Sequence, residues 1–552
     1  MALNSTGPLS LGGSTVGQSI NLELGQAATA LASINATNFR TLAGVASGQI
    51  SVSNFYGKSN TPGGWSFSTG NTTPFQLAAA YVDTSNYDIY VSASLDTFTK
   101  TSPFKFNASG TQQWGVTFTD ANQVRTPYFA YILNGTSYYT DGSVTICSLN
   151  YTGSGAPNGW VTGSGTIQRF NSSGTRLFGY SLAYGFNSQF QAFNEWYGKP
   201  ARNASYTALP CNIFTQWAYC CCGQQFVETA CYSAITLLNS SGGIINGYWA
   251  NSSATSSQLF TPAIDSSNNV YVNSFVTNGQ ATCNINKFPA ANPGSGYTGV
   301  TIYNSGVGQF YQYYGTMVAA GTYVWAIGQI NASVTNKGYQ LYIIRISSGG
   351  GNPIPVNFGK YLVAPVRNSI QQSSCVYGAT GVGNSANGDL YIASRANSGQ
   401  GLYGLICKYD VNGTLQWSRD LRLVSSTIPS SYTGSSSVYV ASIQLDTTNS
   451  VVIVAGWFQV GDSGGSNTRS QGFALRLPID GSKTGNITIP YPPNTAYSTI
   501  FSYADSGATD TSLGVTTGTF SNYPVNNTGN FYSQSYSPTT TSATASGTTV
   551  SF

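Results

Sequence analysis

The sequence contains no histidine and very little charge. Only 7% of its 552 residues are charged, with 21 Lys and Arg against 17 Asp and Glu, whereas about a quarter is usual in globular proteins. Without histidine, Ser-His-Asp and Cys-His catalysis and the zinc sites that contain histidine are excluded. The net charge of +4 contains no run of Lys or Arg, so nucleic acid is not an expected partner.

Long apolar runs are also missing. No stretch approaches the about 18 apolar residues of a membrane span, and the first ten residues lack the basic and apolar regions of a signal peptide. We therefore expect no membrane insertion and synthesis in a cytoplasm. Ser, Thr, Asn and Gly replace the charged residues, while 38 Tyr, 27 Phe and 9 Trp supply material for a core. This composition predicts turn-rich β structure rather than disorder.

The clearest local pattern is a small antiparallel sheet within residues 384–419. Residues 390–393 alternate as one strand, residues 403–409 form a second, and an Asp-Val-Asn-Gly turn at 410–413 leads into a third. Turns of this kind between alternating runs are strong hairpin signals. A meander this small cannot bury both faces by itself, so further copies are expected.

Copies recur about every 60 residues along the chain. Each carries a basic or polar residue, then an apolar one, just before a turn at the end of the third strand. These markers begin at Lys105, Arg169, Thr236, Lys287, Arg345, Lys408 and Arg476. Turn, strand, link and strand repeated at this interval is typical of β-propellers. We predict a mainly β protein in which residues 66–490 form about seven four-stranded antiparallel blades.

The two ends of the chain differ from the repeats. Residues 19–25 alternate as a strand, residues 27–45 have helical spacing, and residues 49–58 suggest a short strand and turn. We therefore predict a small α+β module in residues 1–60, followed by a linker at 61–65. Residues 491–552 form a Ser/Thr/Tyr-rich tail that either closes the ring on the first blade or extends to a neighbouring subunit.

The N-terminal module contains the runs GPLSLGGSTVGQSINLELG (residues 7–25) and RTLAGVASGQISVSNFYGK (residues 40–58). They resemble the N-terminal segment of structural proteins of tailed bacteriophages, notably those that infect marine cyanobacteria, in which similar openings precede varied C-terminal domains. The resemblance covers about 60 residues and implies a component of the virion tail region. It also implies that this module attaches to other tail or baseplate proteins. The candidate docking residues are Arg40, Asn54, Phe55, Tyr56 and Gly57.

Five of the nine cysteines lie close together in sequence. They are Cys211, Cys220, Cys221, Cys222 and Cys231, mostly within an insertion predicted at 198–225. Paired C-x-x-C knuckles are missing, and Cys231, Cys283 and Cys407 fall on third strands of the repeat. We favour buried core thiols over a metal site, and predict neither metal nor cofactor. Cys220 or Cys222 with Cys231 is the pair to test for a disulfide formed after release into oxygenated water.

Carboxylates are too scarce to suggest an obvious catalytic pair. Most Asp residues occupy turn positions, where their side chains cap hairpins. The carboxylates without a turn role are Asp96, Asp120, Glu195 and Glu228. Glycoside cleavage needs two carboxyl groups on either side of a bond, and the aromatic neighbours of Glu195 could raise its pKa. A polysaccharide-cleaving activity is therefore kept as an alternative, while the favoured interpretation is not an enzyme.

Aromatic clusters near strand ends suit sugar binding, because sugars stack on rings and bond to amides and hydroxyls. The competing interpretation is core between blades. The glycan-contact candidates are Tyr138, Tyr139, Trp196, Tyr197, Tyr313, Tyr314 and Trp457.

We therefore expect a non-catalytic virion protein, a homo-oligomeric tail, baseplate or fibre component. Its propeller would adhere to a glycan or protein on the host surface. In seawater charges are screened within a few Å, so stacking and hydrogen bonds must supply the binding. Two alternatives remain open, a purely architectural virion subunit and a tail-associated polysaccharide depolymerase.

Overall fold

The computed structural model describes most of the chain between residues 3 and 550. The gaps are 5, 16–17, 24–26, 32, 35, 37–38, 41–42, 44, 46, 56–62, 70–74, 96–99, 119–135, 139–143, 153–161, 185–191, 198–200, 222–223, 251–256, 260–261, 279, 292–297, 305–308, 332–338, 349–353, 364–375, 398–401, 427–436, 462–467, 493, 495, 520–530 and 536–539.

The described residues are mainly β, with almost no helix. The helical elements are α1, which is Ile20–Glu23, and one 3-10 turn at Val52–Phe55. Strand β1 is Gly64–Ser68. The strands that follow it form sheets whose members are consecutive along the chain, and a last group of strands returns to those sheets. The mainly β prediction is confirmed.

The strands are numbered in chain order and grouped here by sheet. Sheet 1 contains β2 (Phe75–Val82), β3 (Ile89–Leu95), β4 (Lys100–Phe106) and β5 (Gln112–Phe118). Sheet 2 contains β6 (Thr136–Tyr138), β7 (Val144–Thr152), β8 (Thr162–Phe170) and β9 (Arg176–Tyr184). Sheet 3 contains β10 (Ala192–Tyr197), β11 (Ala201–Arg202), β12 (Tyr206–Cys221), β13 (Gln224–Asn239) and β14 (Ile244–Ala250). Sheet 4 contains β15 (Ser257–Leu259), β16 (Ala263–Ile264), β17 (Asn269–Asn278), β18 (Gln280–Pro289) and β19 (Thr298–Asn304).

The remaining strands complete three more sheets and the tail. Sheet 5 contains β20 (Gln309–Ala320), β21 (Tyr323–Asn331), β22 (Tyr339–Ser347) and β23 (Val356–Val363). Sheet 6 contains β24 (Val376–Gly383), β25 (Leu390–Asn397), β26 (Leu402–Tyr409) and β27 (Leu415–Ser426). Sheet 7 contains β28 (Ser437–Asp446), β29 (Val451–Gly461) and β30 (Thr468–Pro478), and β1 is its fourth strand. The tail strands are β31 (Gly485–Pro490), β32 (Ser498–Asp505), β33 (Thr509–Leu513), β34 (Val515–Thr519), β35 (Phe531–Ser535), β36 (Thr540–Ser542) and β37 (Ser546–Val550).

The sheets form a β-propeller arrangement. Neighbouring strands in each sheet are antiparallel, and the first strand of most sheets contacts the sheet before it. β10, β20, β24 and β28 contact sheets 2, 4, 5 and 6, and β2 returns to sheet 7. Sheets 1 and 2 meet where β2 contacts the short strand β6 and where the rings of Trp114 and Phe170 pack with centroids 6.0 Å apart. The predicted number of blades stays a prediction.

The C-terminal tail follows the outer edges of the sheets in reverse order. β32 pairs with β27, β33 with β23, β34 with β19, β35 with β9, β36 with β5, and β37 with β1. Each of these tail strands covers the edge of the sheet opposite its first strand. The described tail strands thus all pair within the same chain. The domain limits predicted at 60, 65 and 490 stay predictions.

The repeat markers are contacts between successive sheets. Four of the six basic marker side chains donate a hydrogen bond to a carbonyl in the turn between the third and fourth strands of the next sheet. These bonds are Lys105 Nζ to Ser172 O at 3.5 Å, Arg169 Nη1 to Ser240 O at 3.2 Å, Lys287 Nζ to Ser348 O at 2.9 Å, and Arg345 Nη1 to Val411 O. The marker that the sequence shows as a repeat therefore binds each of these four sheets to the next.

An aromatic ring on the fourth strand of one sheet packs against the glycine that ends the third-to-fourth turn of the next sheet. The pairs are Trp114 with Gly174, Phe178 with Gly242, Phe358 with Gly413, and Trp417 with Gly481. Three of these turns begin with an Asn or Asp whose side chain caps them, as where Asp410 Oδ1 accepts from the amides of Asn412 and Thr414, both at 2.9 Å, whereas the turn that ends at Gly481 begins at Pro478. The turn, the marker side chain and the aromatic ring together form one contact between successive sheets, which we call the joint.

Residues 1–60 depart from the predicted module. The strand predicted at 19–25 is wrong, because residues 20–23 form α1, whose Leu22 amide donates to Ser19 Oγ at 3.3 Å. The helix predicted at 27–45 is wrong in its first half, since the described residues among 27–36 form turns and irregular backbone. The strand predicted within 49–58 is instead the 3-10 turn Val52–Phe55. The α+β module is not confirmed.

This segment nevertheless has a small core. Its members are Leu3, Ile20, Phe39, Ala43, Ile50 and Phe55. The rings of Phe39 and Phe55 meet edge to face with centroids 6.2 Å apart.

Candidate functional site

The antiparallel connections divide the propeller into two faces. On one, which we call the turn face, short turns join first to second and third to fourth strands, for example at 83–88 and 410–414. The other, which we call the loop face, is the face at which second and fourth strands end and third strands begin. Residues 119–135, 364–375 and 427–436, which follow fourth strands, lie outside the described residues. Variable loops on a rigid scaffold are a common location for binding sites.

An aromatic pair lies toward the loop face of sheet 7. Tyr439 in β28 and Trp457 in β29 are cross-strand partners, with ring centroids 3.8 Å apart and planes inclined by only 8°. Both side chains are partly exposed. The buried Arg395 of sheet 6 places its guanidinium carbon 5.2 Å from the Tyr439 ring centroid. We call Arg395, Tyr439 and Trp457 the aromatic stack.

A second pair of cation and ring in sheet 6 lies on a different surface from the stack. The guanidinium carbon of Arg422 is 3.9 Å from the Tyr403 ring centroid, and its Nε donates to Asp420 Oδ2 at 2.8 Å. Arg395 is opposite Gly404, one position from Tyr403, so the side chains of Arg395 and Tyr403 project from opposite faces of sheet 6. Tyr403 is buried in the core shared with sheet 5. The stack alone therefore combines flat rings with a guanidinium donor at the corner of sheets 6 and 7, which is chemistry that suits sugar rings.

Trp457 is the glycan-contact candidate whose side chain is described. Tyr138, Trp196, Tyr197, Tyr313 and Tyr314 lie in strands β6, β10 and β20, of which only the backbone is described here, and Tyr139 lies outside the described residues. β6, β10, β20 and β28 are all first strands, at the edge opposite the tail. The structure therefore brings Trp457 to Tyr439 and Arg395, which the sequence did not single out. A repeat alignment would have placed Tyr439 on a first strand.

The candidate docking residues have local structural partners. The Phe55 side chain is completely buried. Asn54 Oδ1 accepts from the Ser51 amide at 2.8 Å, and Arg40 Nη2 donates to Gly48 O at 3.1 Å. Tyr56 and Gly57 lie outside the described residues. Their role in docking stays a prediction.

The Asp side chains that the structure describes all make structural contacts. Asp88, Asp389 and Asp510 pair with Lys105, Lys408 and Lys360 at 2.7, 2.9 and 2.8 Å. Asp420 pairs with Arg422. The others bond to turn amides or neighbouring side chains, and they are Asp83, Asp265, Asp410, Asp446, Asp480 and Asp505.

The remaining carboxylates are not neighbours along the sheet. Glu195 is opposite Ile213 in β12, Ile213 is opposite Tyr232 in β13, and Glu228 is opposite Trp217. Glu195 and Glu228 are thus two strands and four positions apart, which places their Cα atoms about 17 Å from each other. Asp96 and Asp120 lie outside the described residues.

The cysteines bear out the core interpretation where their side chains are described. Cys283 and Cys407 are free, completely buried, and lie on the third strands β18 and β26. Burial raises the pKa of each thiol to about 12, so neither is a reactive thiolate near neutral pH. The described residues contain no group of three or more potential metal ligands.

The predicted insertion at 198–225 is regular sheet in its described part. Most of it is strand β12, which pairs with β10 and β13. In that register Cys220 is opposite Gln225, and Cys231 lies six positions further along β13. This spacing separates the Cα atoms of Cys220 and Cys231 by about 20 Å. A disulfide needs Cα atoms within about 7 Å, so the structure contradicts a disulfide between Cys220 and Cys231. Cys222 lies outside the described residues.

The chain is similar to known proteins only in structure, and two of these similarities are distant. No family model and no curated protein matches the chain. Among solved structures, it is similar to the Bombyx mori GH32 beta-fructofuranosidase BmSUC1, at 10% identity over 70% of this chain and 90% of that chain, with a TM-score of 0.27. It is also similar to an ACO/RPE65 chimera, at 11% identity over 80% and 92% of the two chains, with a TM-score of 0.33. These TM-scores are too low to support any statement about activity. No helix among the described residues has the length and hydrophobicity of a membrane span.

Proposed function

We propose that this protein is a non-catalytic virion component of a tailed bacteriophage, carried in the tail, baseplate or fibre. Its seven sheets are the blades of one ring, and its loop face adheres to glycans on the host surface. The resemblance of residues 7–25 and 40–58 supports the virion assignment. The aromatic stack is the observation that supports glycan binding.

The path of the chain supports an outward loop face. Gly63 O accepts from the Arg476 amide at 2.8 Å, and Gly64 is opposite Leu475 near the end of β30. That end of β30 leads into the turn at 479–484, so the chain enters the ring on the turn face. A virion protein bound to the first 60 residues would therefore lie on the side of the turn face. The aromatic stack would then be directed away from the virion.

The carboxylates support binding rather than cleavage. Every described Asp side chain holds a turn or pairs with a cation, and these roles do not leave a pair on either side of a groove. The stack is only partly exposed, which favours contact with one face of a sugar ring over a deep substrate cleft. A depolymerase would need carboxylates from outside the described side chains.

The test is retention of the full chain on host cells and on purified envelope glycans. Trp457→Ala is expected to weaken retention about tenfold, the loss of roughly 1.4 kcal/mol of stacking energy. The matched control is Tyr303→Ala, because Tyr303 is a 40% exposed aromatic in β19, away from the stack. Circular dichroism checks that both variants fold.

Two outcomes would replace the proposal. Equal retention of Trp457→Ala and the control, or no retention of the wild type, would favour an architectural subunit. Release of sugar fragments from the glycan, abolished by Glu195→Gln, would instead indicate a depolymerase.

A further inference from the structure

The contact between sheets 7 and 1 differs from the other contacts in this propeller. Sheet 7 combines strands from both ends of the chain, since β1 pairs with β30 on one side and with β37 on the other. Gly64 is opposite both Leu475 and Val550. β1 is held in this sheet by backbone pairing with strands that lie about 400 residues later in the chain, and side-chain contacts add to that closure.

Tyr87, in the first-to-second turn of sheet 1, has an unusual backbone conformation. Its φ is 60°, in the left-handed region. The corresponding turns of sheets 4 to 7 also contain one left-handed residue each, and these residues are Asn268, Gly321, Gly388 and Ser450. Those four are small, and glycine or asparagine tolerates this conformation. A tyrosine is strained there, and such strain persists where other contacts compensate for it.

The compensating contacts come from sheet 7. Arg476 Nη2 donates to Tyr87 Oη at 3.0 Å, and the guanidinium carbon is 4.6 Å from the Tyr87 ring centroid. The Arg476 side chain is buried, with 8% of the residue exposed. The Tyr87 ring also lies 6.2 Å from Trp65 of β1. One phenol therefore contacts residues from the beginning and the end of the ring.

The backbone of Arg476 also contacts the residue just before β1. Its amide donates a hydrogen bond to Gly63 O at 2.8 Å. Burial raises the pKa of Tyr87 and lowers the pKa of Arg476.

We propose that Tyr87 and Arg476 form a latch that closes the ring at the contact between sheets 7 and 1. This inference does not depend on what the loop face binds.

The test uses a substitution for which strain and latch predict opposite results. Tyr87→Gly removes the left-handed strain, and without a latch it would raise the melting temperature of the full chain. Ser450→Gly is the matched control, because it relieves the same strain at another turn. The latch predicts that Tyr87→Gly lowers the melting temperature while Ser450→Gly does not. Hydrogen exchange of amides in β1 and β37 should accelerate at least tenfold in Tyr87→Gly.

A second variant isolates the hydroxyl of the latch. Tyr87→Phe keeps the ring and the strained backbone but loses the hydroxyl, so it should accelerate exchange less than Tyr87→Gly and in the same strands. If Tyr87→Gly behaves like Ser450→Gly, the latch is wrong.

Discussion

Replacing Gly413 with alanine tests the joint between successive sheets. Gly413 ends the turn between β26 and β27 with a φ of 75°. A Cβ atom at this position would lie 2.3 Å from Cε2 and Cζ of Phe358 on β23. Carbon atoms normally approach to about 3.5–4.0 Å. The Phe358 ring would therefore have to move by more than about 1 Å.

The cost of this substitution has two parts. A left-handed alanine costs about 1–2 kcal/mol. The displaced Phe358 ring is confined by Trp325, 5.7 Å away between centroids, and by the Arg345 guanidinium, whose carbon is 4.6 Å from its centroid. Overpacking of this kind costs about 1–3 kcal/mol. We therefore expect Gly413→Ala to lower the free energy of unfolding by about 2–5 kcal/mol.

Equilibrium urea unfolding of the full chain measures this effect. Gly321→Ala is the matched control, because Gly321 has a φ of 61° but its added Cβ would approach Ser385 O only to 3.2 Å. It should show the backbone cost with little overpacking. Adding Phe358→Leu to Gly413→Ala should recover part of the loss, since the smaller side chain opens space. Equal destabilisation by the two alanines would refute the packing of ring on glycine.

Two other predictions concern charge and the tail. The hydrogen bonds from Lys105 to Asp88 and from Lys408 to Asp389 outweigh burial, which acts to lower the pKa, and raise the pKa of both lysines. The stability that these ion pairs contribute should be fully present below pH about 10.5, and it should disappear as the pH rises through the raised pKa of each lysine in the folded protein. A pH series of urea unfolding should show a smaller alkaline loss of stability for Lys408→Met than for the wild type. A chain ending at residue 484 lacks β31–β37 and should aggregate in light scattering, because it exposes sheet edges. A chain ending at 545 lacks only β37 and should show faster hydrogen exchange mainly in β1. A monodisperse 484-residue chain would contradict the role of the tail in covering those edges.

The repeat could be predicted from sequence because its turns are encoded locally. Asp410 caps its own turn and Gly413 supplies the left-handed residue that ends it, so four residues suffice to mark the hairpin. The same local logic failed at residues 19–25. There the alternating pattern suggested a strand, but Ser19 caps a short helix whose buried Asn21 donates to Ala30 O at 2.8 Å.

Non-local pairing explains most of what the sequence did not show. Tail strands such as Thr509–Leu513 are short and polar, and only their partners on the sheet edges define them as strands. The aromatic stack depends on the register that places Tyr439 opposite Trp457 and on a packing contact with Arg395. The markers were recognised as a repeat, but their bonds to the next sheet appear only once the sheets are adjacent.

The position of β1 between β30 and β37 has a consequence for biosynthesis. Trp65 and Phe67 of β1 are completely buried in the finished protein, yet their strand partners leave the ribosome about 400 residues later. Contacts so distant in sequence slow folding. The nascent chain therefore carries an apolar strand without its sheet through most of translation. The sheet is complete only after β30 and β37 have been synthesised, and chaperones that shield exposed apolar strands are expected to act on this segment first.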